Sequence, residues 1–389
     1  MRYVFKKTGY RIIVSLLDAV GSVISLPSRL FKKPAPSNPK RILVVRLDHI
    51  GDFVCTTPIF KNLKKWFPGA VITALINSVS KDLAARNPYI DKIVTFSPLY
   101  LARDEESSPL KGLMRVVKDV RNIGFDLGLD MRGDFLSILI MWLGGVKYRI
   151  GYGITGGGFL LNKVCRYDES KHIVDRNLVL LEALDIPIAS RSPEVYFDEK
   201  DEDEVERLVV ENSFSSTVVI HPFAGAKAKQ WPRENFQNLI NRIKNDGRDV
   251  LLVGAANDEG LYENVIDLRG KLTLPRLAYL IKKTGFFIGL DSGPANIAAA
   301  LNVPSVIICS GTNTPQLWIP DNPNVRFVYR DTECKPCGLK VCRKEKHECM
   351  DQITVEEVFD KFKEIACPTA RESISGRRAL GKMGQSPST

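Results

Sequence analysis

The chain has 389 residues, 44% hydrophobic and 26% charged, a globular composition of a length that one hydrophobic core rarely supports, so we predict two domains. The formal net charge of +10 resides in the two ends, because residues 1–40 carry +7 and residues 368–389 carry +3, which leaves residues 41–367 neutral. A neutral folded body argues against a nucleic-acid binder, whereas basic ends suit an anionic membrane surface.

The first predicted element is an amphipathic helix within residues 10–31, with Leu16 and Val20 on its apolar face and Asp18 on the opposite face. Basic residues flank it on both sides: Lys6, Lys7, Arg11, Arg29, Lys32 and Lys33. This combination predicts a helix that lies in a membrane interface. Asp18 argues against a signal peptide and a transmembrane span, although a span and a helix that only caps the first domain remain alternatives.

From Arg41 onwards, short apolar runs alternate with helical stretches. The predicted strands form two series, one at residues 42–45, 71–76, 93–96 and 127–129, the other at 218–220, 250–253, 286–290 and 306–309. Such alternation predicts βαβ units, and therefore two α/β domains with parallel sheets. Residues 1–40 are the membrane-associating segment and linker, 41–200 the first domain, 214–366 the second domain and 367–389 a disordered tail.

An acidic run at residues 198–206 precedes the second series of strands. We interpret it as the solvated start of a helix, whose positive dipole end suits carboxylates, rather than as a metal site. A hinge is predicted near residues 187–216.

The polar loop after the first strand, residues 46–58, is the predicted catalytic segment. Asp52 lies there, where a parallel strand ends and where a general base is expected. A purely capping role for the Asp52 carboxylate is an equal alternative. Pro58 lies either in the first turn of a helix capped by Thr57 or at a kink in a helix that has already begun.

Two loops of the second domain are predicted to hold a diphosphate. Residues 221–234 combine small residues, including Ala224 and Gly225, with Lys229, while Lys227 is expected to be a surface residue. Asp291, Ser292 and Gly293 lie between a buried strand and an alanine-rich helix, where backbone N–H groups attract phosphate. Residues 310–313 form a further small polar turn.

Two other motifs receive no catalytic role. Residues 151–156 fit G-x-G-x-x-G, but no long helix is predicted after them, so we interpret them as a mobile loop. Four close-spaced cysteines are candidate ligands of a structural zinc or another thiolate-bound metal, with reduced thiols and disulfides as alternatives: Cys334, Cys337, Cys342 and Cys349.

Taken with segments 125–133, 149–152, 171–175 and 298–301, these motifs resemble glycosyltransferase family 9, the ADP-heptose:lipopolysaccharide heptosyltransferases. The resemblance covers about residues 41–365. It implies a GT-B architecture of two facing Rossmann-like domains with parallel sheets and an interdomain cleft. It also implies that the first domain binds the acceptor, that the second binds the nucleotide sugar, and that transfer is inverting and needs no divalent ion or other cofactor.

The resemblance also implies roles for individual residues. Asp52 is the expected general base, and Lys229, with backbone donors at Ser292 and Gly293, is expected to stabilise the departing diphosphate. The other expected donor-binding residues are Ala224, Gly225, Glu259, Asp291 and Asn296. Glu259 is expected on the ribose, and Asn296 replaces a histidine of the family, so it can donate a hydrogen bond but cannot become cationic.

The implied function is transfer of heptose from ADP-L-glycero-D-manno-heptose to a lipopolysaccharide inner-core acceptor at the cytoplasmic face of the inner membrane. One alternative is a glycosyltransferase that uses another nucleotide hexose on a surface glycan. A second is a catalytically inactive, membrane-associated protein that binds a nucleotide sugar, and a third is a sugar-nucleotide epimerase. No nucleic-acid partner is expected.

Overall fold

The computed structural model describes residues 8–24, 34–98, 109–211 and 217–366. They divide into two compact units. Unit 1 is Met1–Leu208 with Leu272–Tyr279 and Pro315–Pro320, and unit 2 is Val209–Lys271 with Leu280–Thr314 and Asp321–Thr389. The predicted tail at 367–389 and the end of the predicted helix at 10–31 lie outside the described residues.

The first sheet has six parallel strands in the order β3-β2-β1-β4-β5-β6. The strands are β1 Arg41–Arg46, β2 Val71–Ile76, β3 Lys92–Thr95, β4 Leu127–Asp130, β5 Tyr148–Gly151 and β6 Lys163–Val164. The β1 sequence RILVVR is almost continuously apolar because the strand pairs with β2 on one side and β4 on the other and is covered on both faces.

Most helices of this half connect successive strands, while the first precedes β1 and the last two follow β6. They are α1 Thr8–Ile24, α2 Ile50–Val54, α3 Thr57–Trp66, α4 Lys81–Arg86, α5 Pro109–Ile123, α6 Phe135–Leu143, α7 Ile173–Glu182 and α8 Glu199–Glu211. Pro58 lies in the first turn of α3, where its missing N–H costs nothing; α3 begins at Thr57, and Thr56 is its cap. Of the two interpretations of Pro58, the first-turn position is therefore correct.

One hydrophobic core joins alternate residues of β1 to α5 and α6. Leu43 and Val45 of the strand are completely buried with Val120 of α5 and Ile138 and Met141 of α6. Because the crossovers β3 to β4 and β4 to β5 run in the same direction across the sheet, right-handed connections place both helices on the same face. The crossovers that contain α3 and α4 run in the other direction and lie on the opposite face.

The second sheet also has six parallel strands, in the order β12-β11-β10-β7-β8-β9. The strands are β7 Thr217–His221, β8 Asp249–Leu252, β9 Ile266–Asp267, β10 Phe287–Leu290, β11 Ser305–Cys309 and β12 Val325–Tyr329. The helices are α9 Arg233–Asn245, α10 Leu274–Thr284, α11 Gly293–Ala300, α12 Glu348–Asp351 and α13 Val355–Ala366. Two parallel sheets with helical crossovers confirm the predicted α/β class.

The core of this half is closed by the chain's last described helix. Phe362 of α13 is completely buried with Phe236 of α9, and Trp231 donates its indole N–H to the Ile353 carbonyl at 3.0 Å. The indole nitrogen therefore keeps a partner although the ring is buried.

Helix α1 confirms part of the predicted amphipathic segment. Asp18, on its polar face, is only 9% exposed and accepts a hydrogen bond from the Gly157 N–H at 2.8 Å. The helix thus packs on unit 1 through its polar side. Among the described residues, no helix is both long and apolar enough to cross a membrane.

Two interpretations of sequence motifs are corrected by the structure. The mobile loop predicted at 151–156 is wrong, because Gly151 ends β5, Tyr152 and Gly153 are buried, and Ile154 and Gly156 form a β-bridge. The acidic run does begin a helix, α8, but it is not wholly solvated. Asp201 is 2% exposed and accepts a 2.6 Å ion-paired hydrogen bond from Arg86.

Candidate active site

Asp52 lies in α2, the short helix that follows β1. One carboxylate oxygen accepts a hydrogen bond from the His49 N–H at 3.2 Å, and the other lies 3.3 Å from the Arg46 guanidinium. The capping role considered for Asp52 is therefore real, since it holds the first turn of α2. The side chain nevertheless remains 17% exposed, so one carboxylate combines a fixed position with access to a ligand.

The charge on Asp52 is fixed by its neighbours. Burial alone would raise the pKa of this carboxyl, but hydrogen bonds from His49 and the charge of Arg46 lower the pKa to about 2. The group is therefore an anion throughout the physiological range. A carboxylate of low basicity needs close positioning against the proton it accepts if it is to act as a general base.

Arg46 and Asp48 lie beside Asp52, and no individual role was predicted for either residue from the sequence. Arg46, at the end of β1, donates to the Met131 carbonyl at 2.7 Å and also lies 3.3 Å from Asp48. Arg132 pairs with the other oxygen of Asp48 at 2.8 Å. Burial raises the pKa of Asp48 to about 6, so the environment pushes the pKa values of the two carboxyls apart, a pattern typical of acid and base sites.

The loop after β4 is fixed beside this cluster by a buried carboxyl. Asp130 is completely buried and accepts hydrogen bonds from the N–H groups of Arg132 and Gly133 at 3.2 and 2.9 Å. Gly133 has φ of 78°, and a Cβ there would lie 2.8 Å from Tyr152. Only glycine fits this turn, which aims Arg132 at Asp48.

Helix α7 holds the segment after α2 from the other side. The Asn177 amide donates to the Cys55 carbonyl at 2.9 Å and to the Thr56 hydroxyl at 3.3 Å. Asn177 is 1% exposed, so these bonds are shielded from water. This contact fixes the junction between α2 and α3, and with it the orientation of Asp52.

In unit 2, Lys229 and Asp291, two residues predicted separately for the donor site, form an ion pair. The Lys229 ammonium lies 2.8 Å from the Asp291 carboxylate and donates to the Asp291 carbonyl at 3.4 Å. Asp291 is 6% exposed and Lys229 24%, so the cation keeps a solvent-facing side. The structure therefore brings together the lysine after β7 and the acid after β10, two neighbouring strands.

Ser292 and Gly293 form the start of α11 directly after Asp291. The Ser292 hydroxyl donates to the Leu290 carbonyl at 2.9 Å and lies 3.2 Å from Nδ1 of His221. Since the first N–H groups of a helix have no intrahelical acceptor, this turn presents donors and a positive dipole end beside the Lys229 ammonium. Such an arrangement suits a phosphate group.

His221 supports the Ser292 turn as a neutral imidazole. Burial lowers its pKa from 6.5 to about 4. Between about pH 6.5 and pH 4, His221 is therefore protonated in the unfolded chain but neutral in the folded chain. We therefore expect the free energy of unfolding to fall by about 2 to 3 kcal/mol between these values.

Chemical denaturation at pH 7 and pH 4.5 measures this loss for His221, and NMR titration of the imidazole locates its pKa. The His221→Gln variant, which does not titrate there, is expected to lose less stability with acid. An imidazole that titrates near pH 6.5 in the folded protein would contradict the assignment.

The other predicted donor-binding residues occupy different positions in unit 2. The Ala224 carbonyl accepts from the Gln230 amide at 3.1 Å, and Gly225 is exposed with open space where a Cβ would be. Glu259 is exposed in the loop after β8. Asn296 is buried, and its amide donates to the Ser292 carbonyl at 3.0 Å, so it braces the helix start.

Three of the four clustered cysteines lie in the segment between β12 and α12, and Cys349 lies in α12 itself. Burial, together with the nearby Cys334, Cys337 and Cys342 thiols, raises the pKa of Cys349, so the four sulfurs share one region. Zinc requires its ligands around one point. Among the described residues no group of three or more His, Cys, Asp or Glu side chains is arranged to hold a metal ion, so the metal site stays a prediction, without a role in the reaction.

Comparison with known proteins gives the family. The model of glycosyltransferase family 9 (heptosyltransferase) matches residues 113–348. Lipopolysaccharide heptosyltransferase 3 of Escherichia coli K12 is 26% identical over 329 residues, which cover 79% of this chain and 93% of that protein. The relative and the family model span both units.

Solved structures agree with this match. The glycosyl transferase family 9 structure from Veillonella parvula has a TM-score of 0.74 at 20% identity, covering 85% of this chain and 98% of that one. The E. coli ADP-heptose lps heptosyltransferase II has a TM-score of 0.67 at 20% identity and covers 84% and 99%. These likenesses confirm the predicted GT-B fold class. Because the family model matches more than half of the sequence, the chain belongs to glycosyltransferase family 9 and is a glycosyltransferase.

Proposed function

We propose that this enzyme transfers a heptose from ADP-L-glycero-D-manno-heptose to a lipopolysaccharide inner-core acceptor. The observation that carries the proposal is the Lys229–Asp291 pair beside the start of α11, a site that suits a diphosphate. Relatives named as lipopolysaccharide heptosyltransferases support the sugar and the acceptor.

The roles of the side chains follow from their charges. The Asp52 carboxylate takes the proton of the acceptor hydroxyl as that oxygen attacks the anomeric carbon, and the bond to the diphosphate breaks with inversion. The Lys229 ammonium and the N–H groups of Ser292 and Gly293 then stabilise the negative charge that develops on the departing ADP. No metal ion takes part in these steps.

The test is release of ADP from purified protein incubated with ADP-heptose and a Kdo-containing acceptor. The expected result is acceptor-dependent ADP release together with a heptosylated product. Equal ADP release by the wild-type protein with and without acceptor would reject transfer to that acceptor. The product would then be analysed for hydrolysis or epimerisation of the donor.

Asn296 favours one alternative within the same enzyme class, a different nucleotide-hexose donor. Its neutral amide is already bonded to the Ser292 carbonyl and adds no positive charge to the phosphate site. Measuring transfer with other nucleotide hexoses in the same assay separates this alternative from heptose transfer. A higher kcat/KM with another donor would show that ADP-heptose is not the preferred donor.

We also propose peripheral attachment to the cytoplasmic face of the inner membrane. The charge of +7 within residues 1–40 and the amphipathic helix α1 support it, because apolar burial and attraction to anionic headgroups act together.

A further inference from the structure

Helix α1 exposes an apolar stripe to solvent. Ile12, Leu16, Val20 and Val23 follow the spacing of one helix face, and their exposed fractions run from 55% for Ile12 to 72% for Val23. The opposite side of the same helix is docked on the protein. A Cβ at Gly21 would meet the Phe159 ring, and Asp18 is bonded to Gly157. The stripe is therefore held facing away from unit 1.

Two further helices of unit 1 also expose large apolar side chains. Leu110 and Met114, one turn apart on α5, are both 65% exposed. Phe135 and Trp142, two turns apart on α6, are 43% and 47% exposed. Large aromatic and aliphatic groups in adjacent outward positions are characteristic of surfaces that contact a partner or a membrane.

The three helices are neighbours on the surface of unit 1. α5 and α6 pack on the same sheet face and contact each other. Val120 of α5 lies so close to Gly144, at the end of α6, that a Cβ on Gly144 would clash with it. α1 and α6 both contact the 3-10 turn Gly158–Leu160. Gly157 links them directly, because its N–H bonds Asp18 and a Cβ there would lie 2.9 Å from Phe135. We call the outward sides of α1, α5 and α6 the three-helix face.

Positive charge borders this face. Lys111, Arg115 and Lys118 are exposed on α5, the helix that carries Leu110 and Met114. The residues before and after α1 in the sequence are also strongly basic. Apolar side chains bordered by lysine and arginine match the acyl boundary and the anionic headgroups of a bilayer, because each basic residue near such a surface adds electrostatic attraction. Trp142 suits the interface because its ring is amphipathic.

We propose that the three-helix face is the membrane-binding surface of this enzyme, and that it binds an anionic phospholipid bilayer through α5 and α6 as well as α1. This inference rests on the proposed peripheral attachment and deepens it, since residues 1–40 alone carried that proposal. The enzyme then binds the bilayer as a folded domain face, with Asp18 fixing α1 to unit 1.

The experiment is co-sedimentation of the full chain with vesicles of phosphatidylethanolamine and phosphatidylglycerol, compared with vesicles of phosphatidylcholine alone. The double variant Met114→Ser and Trp142→Ser keeps all of residues 1–40. We expect it to bind the anionic vesicles about tenfold more weakly, because two large apolar groups no longer enter the interface. The matched control is Trp66→Ser, which removes a 50% exposed tryptophan from α3 on the opposite sheet face and should leave binding unchanged.

Three results would overturn the proposal. Unchanged vesicle binding of the double variant would show that α5 and α6 do not contact the bilayer. Equal loss in the Trp66→Ser control would show that the effect is general. A change from dimer to monomer in the double variant, with unchanged vesicle binding, would instead assign this face to a second copy of the chain.

Brominated acyl chains supply a second measurement. Quenching of the wild-type tryptophan fluorescence by these vesicles should be mostly lost in Trp142→Phe, a variant that retains an apolar ring at this position. Transfer to a lipid-free Kdo oligosaccharide is assayed in parallel. Intact transfer with lost vesicle binding isolates the membrane surface, whereas vesicle binding without transfer rejects the proposed function alone.

Discussion

Replacing Asp52 by asparagine should lower kcat for sugar transfer by about 10²- to 10⁴-fold, the usual contribution of a general base. The asparagine side chain is nearly the same size, but its amide cannot take the proton of the acceptor hydroxyl. Because the residues of the proposed diphosphate site belong to unit 2, donor binding should change little, and calorimetric titration with ADP measures it. Steady-state transfer kinetics give kcat.

The control for Asp52→Asn is Asp82→Asn, which also changes a carboxylate in the first turn of a helix. Asp82 is exposed on α4 and should leave kcat unchanged. The removal of a charge beside Arg46 has a structural effect of its own, so thermal unfolding of both variants is compared. An Asp52→Asn enzyme with kcat within threefold of the wild type would exclude Asp52 as the base.

Arg46 helps to explain why the Asp52 carboxylate is charged although it is only 17% exposed. Its guanidinium is 3% exposed and lies between Asp48 and Asp52 while donating to a backbone carbonyl. Two carboxylates beside one cation cannot both be stabilised equally, and the hydrogen bonds from His49 favour Asp52 as the anion. Because Arg46 lies 3.3 Å from both acids, the hydrogen bonds from His49 decide that Asp52 is the one with the lowered pKa.

The central strands could be predicted from the sequence because burial on both faces leaves a continuous apolar run. β1 and β2 are of this kind, and the predicted and observed bounds of β2 are the same. The missed strands carry weaker signals. β6 and β9 are edge strands of two residues each, β5 includes Arg149 and Gly151, and β12, also an edge strand and also missed, includes Arg326. A short edge strand has one neighbour and needs no continuous apolar sequence.

Individual site residues could be predicted from the sequence only where they belong to a recognisable motif. Lys229 and Asp291 came from two separate loops, and their pairing follows from the adjacency of β7 and β10 in the sheet. Arg46 and Asp48 carried a signal that could have been used, a charged residue ending an apolar strand and an acid four positions before Asp52. The contacts of Asp48 with Arg132 and of Arg46 with the Met131 carbonyl depend on the β1–β4 register, which local sequence does not encode.

Replacing Lys229 by alanine should lower kcat/KM by about 10²- to 10³-fold, as expected when one preorganised donor to a developing negative charge is lost. The ammonium is held at 2.8 Å from Asp291 and keeps a solvent-facing side. The matched control is Lys227→Ala, because Lys227 lies in the same 3-10 turn, Lys227–Lys229, but is exposed. Steady-state kinetics with varied ADP-heptose should show no more than a twofold change for the control.

The structural part of the Lys229 effect must be separated from the chemical part, since Lys229→Ala leaves the buried Asp291 carboxylate without its partner. Lys229→Arg keeps a positive charge and should restore the melting temperature. It should restore activity only in part, because a planar guanidinium does not replace a compact ammonium ion. Suppose that Lys229→Ala and Lys227→Ala lose the same fraction of activity, and that added salt lowers the wild-type kcat/KM by that same fraction. In that case the two lysines act only by general electrostatic attraction of the anionic donor. The leaving-group role of Lys229 would then have to be withdrawn.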